Sequence, residues 1–246
     1  MSRGQSDRHS WLHSSGFTLL ETIITTALFS IVIAGVYLLY TTMQSTLSRG
    51  ELKTDLQQNA RIGLDKMVQE IRMAGYDPGG TIPAVALPPK AAIRAATKGC
   101  LSFVADVGSG SHQFSYFLRN ESDDSVLLDG SCPSAVKCTL RRKEEPWDGT
   151  SAFSGGGGAQ PLAESANSLT FNYYDAFNQL ITPASITSTQ RCPPQSGAPS
   201  QSITQLDYWQ MRQIRRVAIT VQMRDSRPDV FSEFYTLTSD VRLRNR

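Results

Sequence analysis

Apolar residues follow three successive patterns along the chain. From Phe17 to Tyr40 they run almost unbroken, interrupted by hydroxyl side chains and by one charged residue, Glu21. At 1.5 Å per residue a helix over this stretch is roughly 36 Å long, enough to cross a ~30 Å hydrocarbon core. From Leu52 the pattern changes rather than ends. Leu52, Leu56, Ala60, Leu64, Met67, Ile71 and Ala74 recur every three or four positions, with Lys53, Asp55, Arg61, Asp65 and Arg72 between them. That spacing predicts an amphipathic helix whose apolar stripe must be covered. Gly75 supplies a C-terminal cap and Pro78-Gly79-Gly80 blocks continuation. One helix from Phe17 to Ala74 is expected, with Gly35 as its softest point.

From Cys100 the period becomes two. Alternation over 101–106, 113–119 and 125–128, separated by Gly/Ser and Asn/Asp turns, predicts an antiparallel meander. A further hairpin is expected over 168–175 and 179–181, and two long strands over 214–224 and 230–242. Residues 78–99, 144–166 and 183–205 carry much Pro, Gly and Ser and are expected as irregular connections. The predicted fold class is α+β: a long N-terminal helix packed on an antiparallel sheet.

A lone carboxylate in such a span costs on the order of 2.5–3.5 kcal/mol in hydrocarbon, so Glu21 requires a cation, and the span holds no Lys or Arg. The leader ahead of it, with Arg3, Arg8, His9 and His13, ends in Ser14-Ser15-Gly16. A small residue before the apolar run is the reverse of an ordinary secretory signal. Cleavage after Gly16 would keep the span and create an amine at Phe17, four residues from Glu21.

The run Gly16-Phe17-Thr18-Leu19-Leu20-Glu21 before an apolar helix resembles the class III signal of type IV prepilins and type II secretion pseudopilins. The resemblance implies cleavage after Gly16 by a prepilin peptidase, methylation of Phe17, and neutralisation of a neighbouring subunit's amine by Glu21. The segments 58–65 and 70–76 resemble the helix end of PilW-type minor pilins, and the ending 238–245 resembles the last strand of that group and of the related GspJ-type minor pseudopilins. The implied organisation is a removable leader over 1–16, a transmembrane helix half over 17–40, an amphipathic half over 41–75 and a β-rich domain over 76–246.

With 24 basic and 22 acidic residues the chain is nearly neutral, and removing Arg3, Arg8 and Asp7 leaves 22 against 21. Charge alone indicates no nucleic-acid binder. The positive-inside tendency puts the leader in the cytoplasm and the domain outside the inner membrane. There the four cysteines suit two disulfides. Cys132 and Cys138 are close enough to close a small loop, which leaves Cys100 for Cys192; zinc on four thiolates is the alternative.

Little points to catalysis. Once the leader is removed only His112 remains, so no His-based triad or multi-His metal centre is expected, and no cofactor. The glycines at 155–158 lack the Lys and helix start of a phosphate loop. Glu121, Asp123 and Asp124 suit either Ca²⁺ or ordinary turn chemistry. Arg212, Arg215, Arg216, Arg242, Arg244 and Arg246 suit either acidic surfaces, anionic lipid or DNA, or the guarding of an edge strand. The expected function is that of a minor pilin in a priming or tip complex, with other minor pilins, the major pilin, the prepilin peptidase and the inner-membrane assembly platform as partners. A GspJ-like pseudopilin and a pilus-borne adhesion or DNA-uptake module, binding through the loops at 144–166 and 183–205, are the alternatives.

Overall fold

The computed structural model describes residues 16–80, 92–134, 136–147, 158–188, 192, 201–224 and 234–244. Its contacts divide the chain into two compact units, one up to Glu51 and one from Leu52 onward. Helix α1 runs from Leu19 to Arg72. It starts two residues later than the pattern suggests, because Thr18 sits at the N-cap and its hydroxyl accepts from the Glu21 amide at 3.2 Å. It ends two residues early, where the Met73 and Ala74 amides turn back to Glu70 and Ile71 and Gly75 takes φ 77°.

The described part of the first unit is almost entirely this helix. Its large apolar side chains, Leu19 through Leu47, are exposed, as a lipid-facing span requires. The hydroxyls of Thr22, Thr25, Thr26 and Ser30 each donate to a carbonyl three or four residues back at 2.6–2.8 Å. These hydroxyls are therefore satisfied within the helix and cost little in hydrocarbon.

Among the described residues the second unit holds two larger antiparallel sheets and a separate two-stranded one. The first contains β1 (Ile93–Ala96), β2 (Cys100–Asp106), β3 (Ser111–Asn120), β4 (Val126–Leu127), β5 (Cys138–Pro146) and β6 (Gln160–Ala163). Its order is β1-β2-β3-β5-β6, and β4 takes over from β2 along β3 at Leu118 and Arg119. The second contains β7 (Ala166–Tyr174) and β8 (Leu180–Ile181), then, after the hairpin of β9 (Ala184–Ser188) and β10 (Gln201–Gln205) and the short helix α2 (Tyr208–Gln213), β11 (Arg216–Arg224) and β12 (Phe234–Arg242). Its order is β12-β11-β7-β8.

One core joins these parts. Leu64, Met67 and Ile71 of α1 belong to one buried cluster with Phe103, Phe114, Tyr116 and Leu140 of the first sheet and Phe171, Tyr173, Val217 and Ile219 of the second. Each such side chain contributes about 1.5–3 kcal/mol on burial. The sheets meet at a seam that only glycine permits. A Cβ on Gly130, which has φ +75°, would lie 1.9 Å from the Leu169 carbonyl oxygen, and one on Gly99 would lie 2.2 Å from the Gly130 nitrogen. Here the Leu169 amide donates to the Gly130 carbonyl and the Phe171 amide to that of Lys98.

Several expected loops carry structure. β1 lies within 78–99, β6 within 144–166, and β9 and β10 within 183–205. β5 escapes the alternation because its centre is Arg141-Arg142-Lys143-Glu144-Glu145, charges that the fold pairs rather than exposes. α2 occupies the stretch before the expected strand start at Ile214, and a capping box between Asp207 and Gln210 fixes its beginning. The expected turn at 225–229 and the strand start at 230–233 lie outside the described residues, as do glycines 155–157.

Candidate functional site

The motif residues surround the start of α1. Gly16 and Phe17 precede the helix outside any regular element; Phe17 is 79% exposed, and nothing among the described residues lies within 4 Å of where a Gly16 Cβ would point. Glu21 stands in the first turn, where the helix dipole favours a negative charge. Its amide is held by Thr18, but its carboxylate has no partner among the described residues. The residues place the exposed Gly16–Phe17 junction and a carboxylate without a described partner within six positions at the head of an apolar helix. That arrangement can hold a cation supplied from outside this chain.

The second unit contains a buried charged cluster that the apolar stripe does not reveal. Glu70 lies on the inner face of α1 between Met67 and Ile71, 3% exposed. Arg142 of β5 grips it with Nε 2.9 Å from Oε2 and Nη2 2.8 Å from Oε1, Lys66 Nζ lies 2.9 Å from Oε1, and the Tyr116 hydroxyl donates to Oε2. Burial pushes the Glu70 carboxyl up, but these donors outweigh it and hold its pKa below the usual carboxylate value. Burial and the adjacent Glu70 charge push the Tyr116 hydroxyl well up, so it remains a donor. Burial works against the charge on Arg142, but its bonds to Glu70 and Glu144 raise it further. The position of Glu70 on the stripe face, three residues after Met67 and one before Ile71, is the trace of this cluster in the sequence, and nothing there names its partners. With every charge paired, the cluster is a clamp between helix and sheet rather than a reactive centre.

The remaining candidates are dispersed. His112 Nδ1 lies 3.1 Å from Glu144 Oε1, at the edge of that clamp. Asp123 accepts from the Ser125 amide and hydroxyl, Asp124 pairs with Arg119, and Glu121 accepts from Thr139, so the three carboxylates serve turn and strand. No group of three or more metal-ligating side chains occurs among the described residues. Cys100 is bonded to Cys192 and Cys132 to Cys138, so no described cysteine is free for zinc. Arg242 lies on β12, which ends the second sheet, with Arg244 just beyond it; Arg246 lies outside the described residues.

Residues 11–37 match the family model of the prokaryotic N-terminal methylation motif. The match spans the Gly16 site, Phe17, Glu21 and most of the exposed apolar helix. It supports a place among type IV pilins and pseudopilins, and the motif implies processing by a prepilin peptidase and assembly with other pilins in a membrane system. The apolar helix fits inner-membrane anchoring. No curated protein matches the chain significantly.

Proposed function

We propose that this chain is a minor pilin, similar to PilW, which is cleaved after Gly16, methylated at Phe17 and incorporated into a priming or tip complex of a type IV pilus. The observation that carries this reading is Glu21, an unpartnered carboxylate in the first turn of an exposed apolar helix. A buried carboxylate without a cation raises the energy of the isolated subunit in the membrane. The amine at Phe17 of an adjacent subunit compensates it, and because both groups occupy fixed helix positions the pairing also sets the axial offset between subunits. The subunit starts in the inner membrane with its C-terminal unit on the periplasmic side, and the assembly platform delivers it to other minor pilins and the major pilin.

Glu21→Val tests this mechanism. Membrane insertion, cleavage after Gly16 and the disulfide-bonded unit are expected to survive, since removing the charge eases insertion. Co-purification with other minor pilins and the number of surface fibres are expected to fall. Pull-downs and fibre counts equal to the parent's would reject the register role of Glu21.

A further inference from the structure

The end of the second unit where β11 begins and β12 finishes concentrates arginine. Arg216 and Arg242 stand directly opposite each other on neighbouring strands, a like-charge pairing that weakens a sheet. Arg216 is partly compensated: its Nη1 lies 2.8 Å from Asp240 Oδ1, and its guanidinium carbon is 3.8 Å from the centroid of the Tyr174 ring. Arg72, Arg242 and Arg244 have no carboxylate partner among the described residues. Two open depressions share Arg216 and Arg242 as walls. One, of about 590 Å³, is bounded also by Asp175 and Arg215. The other, of about 530 Å³, is bounded also by Arg72, Asp240 and Arg244.

Large aromatic groups stand exposed on the elements beside this groove. Phe177, on the β7–β8 turn that contributes Asp175, is 84% exposed. Trp209 of α2 is 68% exposed, with the Arg212 guanidinium 5.8 Å from its ring. The Gln210 side-chain Nε2 of α2 donates to the Thr182 carbonyl just after β8, and the Arg215 backbone amide donates to the Tyr174 carbonyl, so α2 and the turn belong to the same end of the fold. Arginine and exposed aromatics together are the residue types that dominate the energetics of protein interfaces.

We propose that this end is a docking surface for an acidic segment of another protein subunit, with carboxylates taken up by Arg72, Arg242 and Arg244. The inference deepens the assembly reading above and rests on it for the partner being another subunit. Arginine's planar fork suits bidentate carboxylate recognition. The interleaved Asp175 and Asp240 favour a protein over a nucleic acid. A phosphodiester backbone is charged at every residue and would run past both aspartates, whereas a protein places each carboxylate individually.

The test uses the full chain in its native membrane with Phe177→p-benzoylphenylalanine as a photo-crosslinker. The expected product is a protein adduct whose crosslinked peptide contains Asp or Glu. Adding R72Q, R242Q and R244Q is expected to cut its yield about tenfold, the effect of losing anchoring arginine contacts. Thermal melting of that variant, followed at the buried Trp147, is expected to match or exceed the parent's because the Arg216–Arg242 opposition is relieved, which separates lost docking from lost folding. R242E with R244E is expected to abolish the adduct, and Lys substitutions at the partner's crosslinked carboxylates to restore it. A nucleic-acid or lipid adduct, no adduct, a yield independent of the arginines, or failure of the charge swap would overturn the proposal. Absence of cleavage after Gly16 would instead overturn the assembly reading, whatever the crosslink shows.

Discussion

Replacing Arg142 with leucine removes the bidentate partner of a carboxylate that is almost wholly buried, with side-chain exposures of 11% for Arg142 and 4% for Glu70. Breaking one side of a buried pair costs about 3–5 kcal/mol. Lys66, 48% exposed, stays near Glu70 but is well screened, so about 3 kcal/mol is expected for R142L. In the parent the folded Glu70 carboxyl titrates below its unfolded value. Its stabilisation is therefore complete above the unfolded pKa and fades as pH falls through the folded one. In R142L burial dominates and lifts the folded pKa above the unfolded one. The carboxylate then imposes its full cost at neutral pH, and that cost disappears as acid protonates it. The gap between parent and variant should be widest near neutrality and narrow towards about pH 4. The double variant E70L/R142L loses both charges and leaves the buried Tyr116 hydroxyl without its acceptor, while Lys66 and Glu144, which also lose a partner, are reached by solvent, for a cost of about 1 kcal/mol. Urea unfolding of the full chain in detergent, followed by fluorescence of the buried Trp147, measures each gap. A loss under about 1 kcal/mol for R142L, or one equal at pH 7 and about pH 4, would refute the clamp.

Other consequences follow from the seam and the cross-links. Gly130→Ala forces a side chain onto the Leu169 carbonyl at positive φ and should cost more than about 3 kcal/mol, whereas Gly80→Ala, with φ +64° and open space, should cost about 1–2 kcal/mol; equal melting shifts would contradict the seam. Cys100–Cys192 spans 92 positions and Cys132–Cys138 spans 6, so on loop entropy the paired Ser variants should lose about 4–5 and about 2 kcal/mol respectively. Denaturant midpoints in the reverse order would show that local packing outweighs loop entropy.

The α+β architecture was legible because two periodicities are clean: 3.6 over Leu64, Met67 and Ile71, and two over Val217 to Met223. β5 was not, because a strand whose charges are satisfied by a facing helix and neighbouring strands has no apolar alternation to detect. Glu70 was hidden for the same reason: its burial depends on Tyr116 and on Arg142, 72 residues away, and local pattern carries no trace of that pairing. α2 is only six residues long, shorter than the window in which helical periodicity shows. At the head of α1 the sequence is informative because the motif is contiguous, from Gly16 to Glu21. What Glu21 meets is not encoded there, since its partner is proposed to be another chain.

The most direct test of the assembly account is the intact mass of the protein recovered from assembled filaments. The account predicts loss of residues 1–16, one added methyl group at Phe17 and two disulfides. Filament-incorporated protein that still carries Met1 through Gly16 would contradict it.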